Sequence, residues 1–566
     1  MQISLNLHRK TTELKHTIKV TLVLLFLYTL VSSPSYGQQP DKLEYEAKSL
    51  EGGKTYKKLI GEVKFTQKNM IIYCDSAFAY DKTNSMEAFG NVRIEDLEDS
   101  VTITSRKLFY DGNSKIAELR ENVVYVDDSI RLYTDNLDYD MTNKSAKYFR
   151  GGKIIDGVNT LESEKGNYDT EGKMMIFTND VKLINPDYTM SSDDLFYNII
   201  TKKARTNSQT NITTNDGRRL ISKQGSEFDT GRNTSAFLLG EVDTEKYYLK
   251  GDELFFNDNL GSYSAKGNVY LLAKKDSVII TGNNAHFWQD QGLAKVYGNS
   301  LLKKMLNRDT LYLRADTLVS IDDSLDVNKR LLAYNHVQVF KNDLQGKSDS
   351  LAYFLADSSI TFYDDPILWN DGSQITADTI HIIVKNGSID QLQTSVNSFI
   401  ISEDSTENYN QIKGRQMIAF FDGNDIKNVN VTGNGESIYF VADEEDPKKL
   451  IGMNKIICSN MNIIFKENQV NDIRFYTNPD GNIVPPHELK EDNKKLEGFA
   501  WRIDERPTRR LILEDPEVVR QKMELVDSMI EAEKKEKEIQ ESREEDMIKN
   551  QTEEESGKQP DNLPKQ

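Results

Sequence analysis

The chain has 566 residues, with 71 Lys and Arg against 90 Asp and Glu and a formal net charge of −19. An acidic surface of that size repels nucleic acid and anionic membrane surfaces. Two cysteines, Cys74 and Cys458, exclude a disulfide framework, and 37% apolar content favours thin elements that each bury one face over thick globular cores.

Residues 1–37 read as a signal peptide. Arg9, Lys10, Lys15 and Lys19 form a basic start, and Val20 to Val31 is an apolar run too short for a comfortable membrane span. Ser35-Tyr36-Gly37 puts small residues at −3 and −1 of a cut before Gln38. An uncleaved N-terminal anchor is the alternative. The leader carries four Lys/Arg and one Asp/Glu, so its removal takes the net charge from −19 to −22.

From residue 74 onward a six-residue unit recurs: small, polar (often Asp), any, aliphatic, any, aromatic or apolar. Clear copies are Ser105–Tyr110, Thr134–Tyr139, Ser192–Tyr197, Gly251–Phe256, Gly282–Phe287, Ala315–Ser320, Ser348–Tyr353 and Ala377–Ile382. Looser copies begin at Cys74, Ser163, Ser222, Gly414 and Cys458. The first eleven starts are 29 to 33 residues apart, and the last two intervals are 37 and 44. Repetition at a fixed period is the mark of a stacked architecture. Within each unit an apolar–polar alternation leads into the motif, a Gly/Asn/Asp/Lys-rich turn follows, and a second strand carries a Gly/Asn-Val signature such as Gly90-Asn91-Val92 or Gly267-Asn268-Val269. These are strand signals, and two strands in each of thirteen units predict about 26 short strands.

Alternation sends Ile103, Leu108 and Tyr110 to one face, with Leu132, Leu137 and Tyr139, then Met190, Leu195 and Tyr197, then Leu249, Leu254 and Phe256 in register, and Ile72 at the equivalent position of the first unit. The small residue between them breaks the alternation, so a bulge or bend is expected there. Bent strands stacked in this way give an all-β folded trough with an apolar interior. Side chains alone could fill that interior, or it could stand open to a ligand, and both readings remain at this point.

The small-Asp-x-Leu-x-Tyr segment, its turn and its Gly-Asn-Val strand resemble the OstA-like family, which includes periplasmic lipopolysaccharide-transport bridge proteins and the N-terminal domain of an outer-membrane translocon. Gly61-Glu62-Val63 through Val92-Arg93-Ile94, Leu108 through Val123, and Gly267-Asn268-Val269 carry the resemblance, which covers about residues 45 to 475. It implies an elongated repetitive β-jellyroll of V-shaped antiparallel strands, with lipid A acyl chains in the interior. It also implies a periplasmic location, lipopolysaccharide as ligand, and other jellyroll proteins at either membrane as partners through end-to-end sheet pairing, with self-association a further option. The groove lining would then be Ile72, Ile103, Leu108, Tyr110, Leu132, Leu137, Tyr139, Met190, Leu195, Tyr197, Leu249, Leu254 and Phe256. The length suffices for two modules, 38–240 and 241–480, or for one continuous trough.

Residues 481–566 form a separate extension. Pro485-Pro486 ends the repeats, and Gly498 to Ile503 reads as a closing strand or a docking patch. Asp515-Pro516 opens a short amphipathic helix that fades into a charged, disordered tail. No catalytic residue, metal site or cofactor is expected. His286, His336, His381 and His487 lack ligand spacing, and the repeated Asp135, Asp193, Asp252, Asp316, Asp349 and Asp378 suit a turn or hydrogen-bonding role. The competing readings are an exported structural or adhesive β-solenoid with a filled core, and a β-helical carbohydrate-active enzyme. The cysteines read as small residues in repeat positions, with a single long-range bridge as the alternative.

Overall fold

The computed structural model describes residues 42–514, except 99–100, 307–308, 371, 387, 405–406, 424, 444–445, 447–448 and 467–468, together with scattered residues between 528 and 539. The expected leader at 1–37 and most of the expected helix after Asp515 lie outside the described residues, and the described residues between 528 and 539 are helical. The fold is all-β and antiparallel, as the sequence pattern predicts. Among the described residues from 42 to 514 helix is limited to short 3-10 turns and the five-residue helix Arg509–Leu513. The chain divides into two compact units, Met1–Met174 and Met175–Gln566. Some strands bend and continue, whereas others divide at the bend, as Ser145–Tyr148 and Gly152–Asp156 do, so the described residues hold more strand segments than two per repeat.

In the first unit the strands Lys57–Gln67, Met70–Tyr80, Ser85–Asp96, Val101–Asp111, Ile116–Asp127 and Ile130–Asp140 pair each with the next. Every one of these ladders shifts register near its middle, for example between Thr104 and Lys107, on either side of Ser105. The shift has a backbone cause. Alternate strands carry two consecutive left-handed residues, Gly61 and Glu62, Gly90 and Asn91, or Glu121 and Asn122. Glycine and asparagine tolerate that region best, which explains the Gly-Asn signature. The second unit repeats the device at Gly267 and Asn268, Gly298 and Asn299, and Gly433 and Asn434. The bend flips the alternation: Val101, Ile103 and Ser105 are buried before it, and Leu108 and Tyr110 after it. Both arms of the bent strand therefore turn their apolar side chains inward.

The motif residues hold this corner. The second-position Asp accepts from the left-handed residue of the neighbouring strand: Asn91 Nδ2 donates to Asp75 (2.9 Å), Asn122 N to Asp135 (3.0 Å), Asn268 Nδ2 to Asp252 (2.9 Å) and Asn397 Nδ2 to Asp378 (3.0 Å). His336 Nδ1 lies 2.9 Å from Asp316 in the equivalent place. The small residue sits inside the crease. There Ser105 Oγ donates to the Lys107 carbonyl (3.0 Å) and Ser348 Oγ to that of Ser350 (2.9 Å), occupying acceptors that the bulge displaces from the ladder. Where the crease is tightest only glycine fits. A Cβ on Gly282 would lie 2.6 Å from Val296 Cγ1, and one on Gly414 2.4 Å from Val431 Cγ1. Cys74 and Cys458 occupy crease positions as free, buried thiols.

The C-terminal extension settles the choice left open for Gly498 to Ile503: it docks and adds no strand. On the outer face of the second unit Gln345, Trp369, Gln374, Ile401, Gln411 and Ile438 stand in one register row across neighbouring strands. The three glutamines are at most 3% exposed. Each holds the extended strap that crosses them. Gln411 donates to the Lys494 carbonyl (2.7 Å) and accepts from Leu496 N (2.8 Å). Gln374 donates to the Ala500 carbonyl and accepts from Arg502 N, both at 2.7 Å. Gln345 accepts from Arg506 Nε (2.7 Å). Between these anchors Leu496, Phe499 and Trp501 pack on Phe399, Ile401, Ile438, Phe440 and Met453. The strap ends where Arg314 Nε donates to the Ile512 carbonyl (2.9 Å). Arg502 forks onto Asp365 (2.8 and 2.9 Å) and onto Glu505, which also pairs with Lys347.

Replacing Gly414 by Val forces a methyl into Val431. It is expected to cost about 1–3 kcal/mol, read as a lower urea midpoint at unchanged slope. A second prediction concerns the strap. The guanidinium of Arg502, with Lys347, holds the Glu505 carboxyl down at about 2, below its ordinary value of 4.5. A depressed carboxylate contributes stability above its unfolded value and loses it as pH falls. Acrylamide quenching of tryptophan fluorescence in a Trp288→Phe background, which leaves Trp501 and, in the row the strap crosses, Trp369, should therefore rise as pH falls from 4.5 toward 2, and Glu505→Gln should raise it already at pH 7.

Candidate functional site

The inner face of the bent strands is the one surface that the repeat builds in every unit, and its state differs along the chain. In the first unit Ile72, Ile103, Tyr110, Leu137 and Tyr139 have no exposed surface, and Leu108 and Leu132 are at most 4% exposed. Tyrosines fill this interior. The ring of Tyr125 lies 6.1 Å from that of Tyr139 and 6.4 Å, edge-on, from that of Tyr168. Burial pushes the Tyr148 hydroxyl and the Cys74 thiol each up to about 12, and it raises Tyr110 as well. Such groups stay neutral at physiological pH and carry no acid–base chemistry there.

The second unit opens in its first half. Met190, Leu195 and Leu254 are buried, but Tyr197, Leu249 and Phe256 are only half-buried. The opening is greatest across the strands Tyr247–Asn257, Ser262–Ala273, Val278–Trp288 and Leu293–Met305. On one arm Leu249, Leu271, Ile280 and Leu302 stand in register, and only Leu302 is buried. On the other arm Phe256, Tyr263 and Phe287 form an aromatic row with ring centroids 5.6 and 6.1 Å apart, the second pair stacked. Phe287, an inward residue, is 40% exposed. Toward the crease Leu254, Ala265 and Val296 close the floor. Four strands at about 4.8 Å spacing make this a strip about 14 Å long. Further along, the interior is filled again: Ala333, Val337 and Ile380 have no exposed surface, and Met417 and Val431 are 1% exposed.

The open strip has a cationic rim. Lys304 continues the inner row between Val278 and Leu311 and is half-buried. Lys246 and Lys275 are exposed in the adjoining hairpins. Lys274 and Arg219 converge on Asp243 and hold its carboxyl below the ordinary value. An apolar strip beside lysines, on a chain of net charge −19, can hold an amphiphile whose head is anionic.

The structure thus brings every sequence-predicted inner residue to the inner face, and it seals those of the first unit. The expected list lacks Tyr263, Leu271, Val278, Ile280 and Phe287, which line the open strip. The signal for Phe287 was present, since Gly282–Phe287 is a plain copy of the motif. The histidines face outward: His286 stacks on Trp288 (3.9 Å) with Ser262 Oγ at 2.9 Å, and His381 Nδ1 lies 2.8 Å from Thr361 Oγ1. Among the described residues no group of three His, Cys, Asp or Glu side chains is placed to hold a metal ion.

Comparison with known proteins returns no match among curated proteins. Among solved structures, LptH from Pseudomonas aeruginosa, described as the LptA homologous periplasmic component of the conserved lipopolysaccharide transport device, matches at 15% identity. The match covers 21% of this chain and 82% of LptH, with a TM-score of 0.19. The family model for OstA-like proteins matches residues 38–193, which hold the first repeats with their left-handed corners and sealed inner face. Over those residues the chain is similar to OstA-like proteins.

Proposed function

We propose that this protein is a non-catalytic lipid carrier in lipopolysaccharide transport, exported to the periplasm, which holds acyl chains against the inner face of its second unit. The observation that carries this reading is the open strip, where inward aromatic and aliphatic side chains keep solvent-accessible surface in an otherwise filled interior. Each methylene buried there is worth about 0.8 kcal/mol, so a twelve-carbon chain gains roughly 10 kcal/mol before the losses of binding. Lys304, Lys246 and Lys275 would face the phosphates of the head. The family match at 38–193 and the export leader point to the same compartment. The terminal strands, Glu44–Glu46 in one unit and Asp480–Val484 in the other, offer main-chain groups through which other jellyroll proteins could extend the sheet.

The sealed core of the first unit favours a second reading, an exported scaffold with a filled interior and no lipid ligand. Extraction of lipid from mature protein, residues 38–566, separates the two. The carrier reading expects lipopolysaccharide in the extract, or its uptake when added. Phe287→Asp and Ile280→Asp should weaken that uptake about ten- to a hundredfold at unchanged circular dichroism, since each puts a carboxylate in the strip. Protein that neither carries lipid nor takes it up leaves the scaffold as the better account.

A further inference from the structure

The first unit is filled, and it is also tied shut along its mouth. Bent strands have two sets of tips, and in an open trough these face each other across the gap. In this unit they are joined by a ladder of tyrosines. Tyr110, Tyr139 and Tyr168 are penultimate residues of the strands Val101–Asp111, Ile130–Asp140 and Lys165–Asp169, 29 residues apart. Their hydroxyls donate to the last residues of strands on the opposite arm: Tyr110 to Gln67, Tyr139 to Asp96 (3.2 Å) and Tyr168 to Asp127 (2.9 Å). Second contacts reinforce the ends of the ladder. Gln67 Nε2 donates to the Gly112 carbonyl in the turn beyond Tyr110 (3.1 Å), and Lys173 reaches both Asp127 (3.3 Å) and the Tyr168 hydroxyl (3.1 Å).

The same motif position differs around the open strip of the second unit. Tyrosine recurs in that unit at 197 and 353, but at 256 and 287, and at Phe228 in register with Phe256, the chain carries phenylalanine, which keeps the ring and lacks the hydroxyl. Those strands border the open strip. Tyr110 and Tyr139 are 0% exposed, and Phe287 is 40% exposed. Around the strip, then, the hydroxyl that ties the first unit shut is missing at Phe256 and Phe287.

We infer that the hydroxyls of Tyr110, Tyr139 and Tyr168 form a seam that closes the first unit, so that its interior admits an acyl chain only when the seam parts. Acyl binding is thereby confined to the strip between Tyr247 and Lys304 while the seam is intact. This consequence rests on the lipid-carrier reading; the seam itself does not. Removal of the hydroxyls leaves Asp96 and Asp127 at the mouth without tyrosine donors, and hydration of those carboxylates favours the open arrangement.

The native thiol of Cys74, 5% exposed inside the first unit, reports on the seam without any ligand. In mature chain carrying Cys458→Ser, alkylation of Cys74 by N-ethylmaleimide should be at least tenfold faster in the triple variant Tyr110→Phe, Tyr139→Phe, Tyr168→Phe than with the tyrosines present. An equal rate overturns the seam. Should the triple variant lose its cooperative thermal transition, the three single variants carry the test, and no acceleration in any of them overturns it as well. A diazirine derivative of myristic acid then maps occupancy. Cross-links between Tyr247 and Lys304 with the seam intact, spreading to the neighbourhood of Ile103 and Leu137 in the variant, support the confinement. Cross-links near Ile103 with the seam intact refute it. Faster alkylation with no cross-link in either protein leaves the seam standing and removes the lipid-carrier reading.

Discussion

The structure depends on one local constraint, a crease repeated along the bent strands where backbone, side-chain volume and hydrogen bonding must agree. Two left-handed residues turn the chain, a carboxylate from the neighbouring strand holds the turn, and a residue small enough to leave room sits on its inner side. The carboxylate is replaced at some corners, by Asn283 beside Gly298 and by Arg415 beside Gly433, but a bend without the small residue has no space, as the 2.4 Å approach to Val431 at Gly414 shows. Once the crease exists, alternation on both arms sends apolar side chains to a common interior, and stacking buries what a single unit could not.

This explains what was legible in the sequence. The crease is local and periodic, so its small residue, its Asp and its Gly-Asn pair recur at readable spacing, and the inner positions from Ile72 to Phe256 followed from alternation. Contacts between tips were not legible. Tyr110 and Gln67 are 43 residues apart, and nothing in either neighbourhood announces the pairing. The strap was legible as apolar residues around Trp501, and its partners were not, because Gln345, Gln374 and Gln411 look like ordinary outward strand residues until the register lines them up. Filled and open interiors were indistinguishable for a similar reason. Leu137 and Leu249 obey the same pattern, and their exposure depends on what meets them across the trough.

Repetition therefore fixes the frame and leaves the contents free. The same bent strands hold tyrosine hydroxyl contacts at one place and a phenylalanine row with lysines beside it at another. A repeat protein can vary function along its length in this way, since each unit answers mainly to its neighbours and a change of inward side chain leaves the crease intact.

The strap adds an order in time to this frame. It is made after every strand it crosses, and its path runs backward, from Gln411 to Arg314, over strands that leave the ribosome before it. Until residues 494–512 arrive, Phe399, Ile401 and Phe440 lie bare on the outer face, although the sheet beneath them is complete. A chain cut short before Lys494 would thus fold its repeats and still display a greasy stripe. Residues 494–512 thus cover a stripe that the strands beneath them cannot cover themselves.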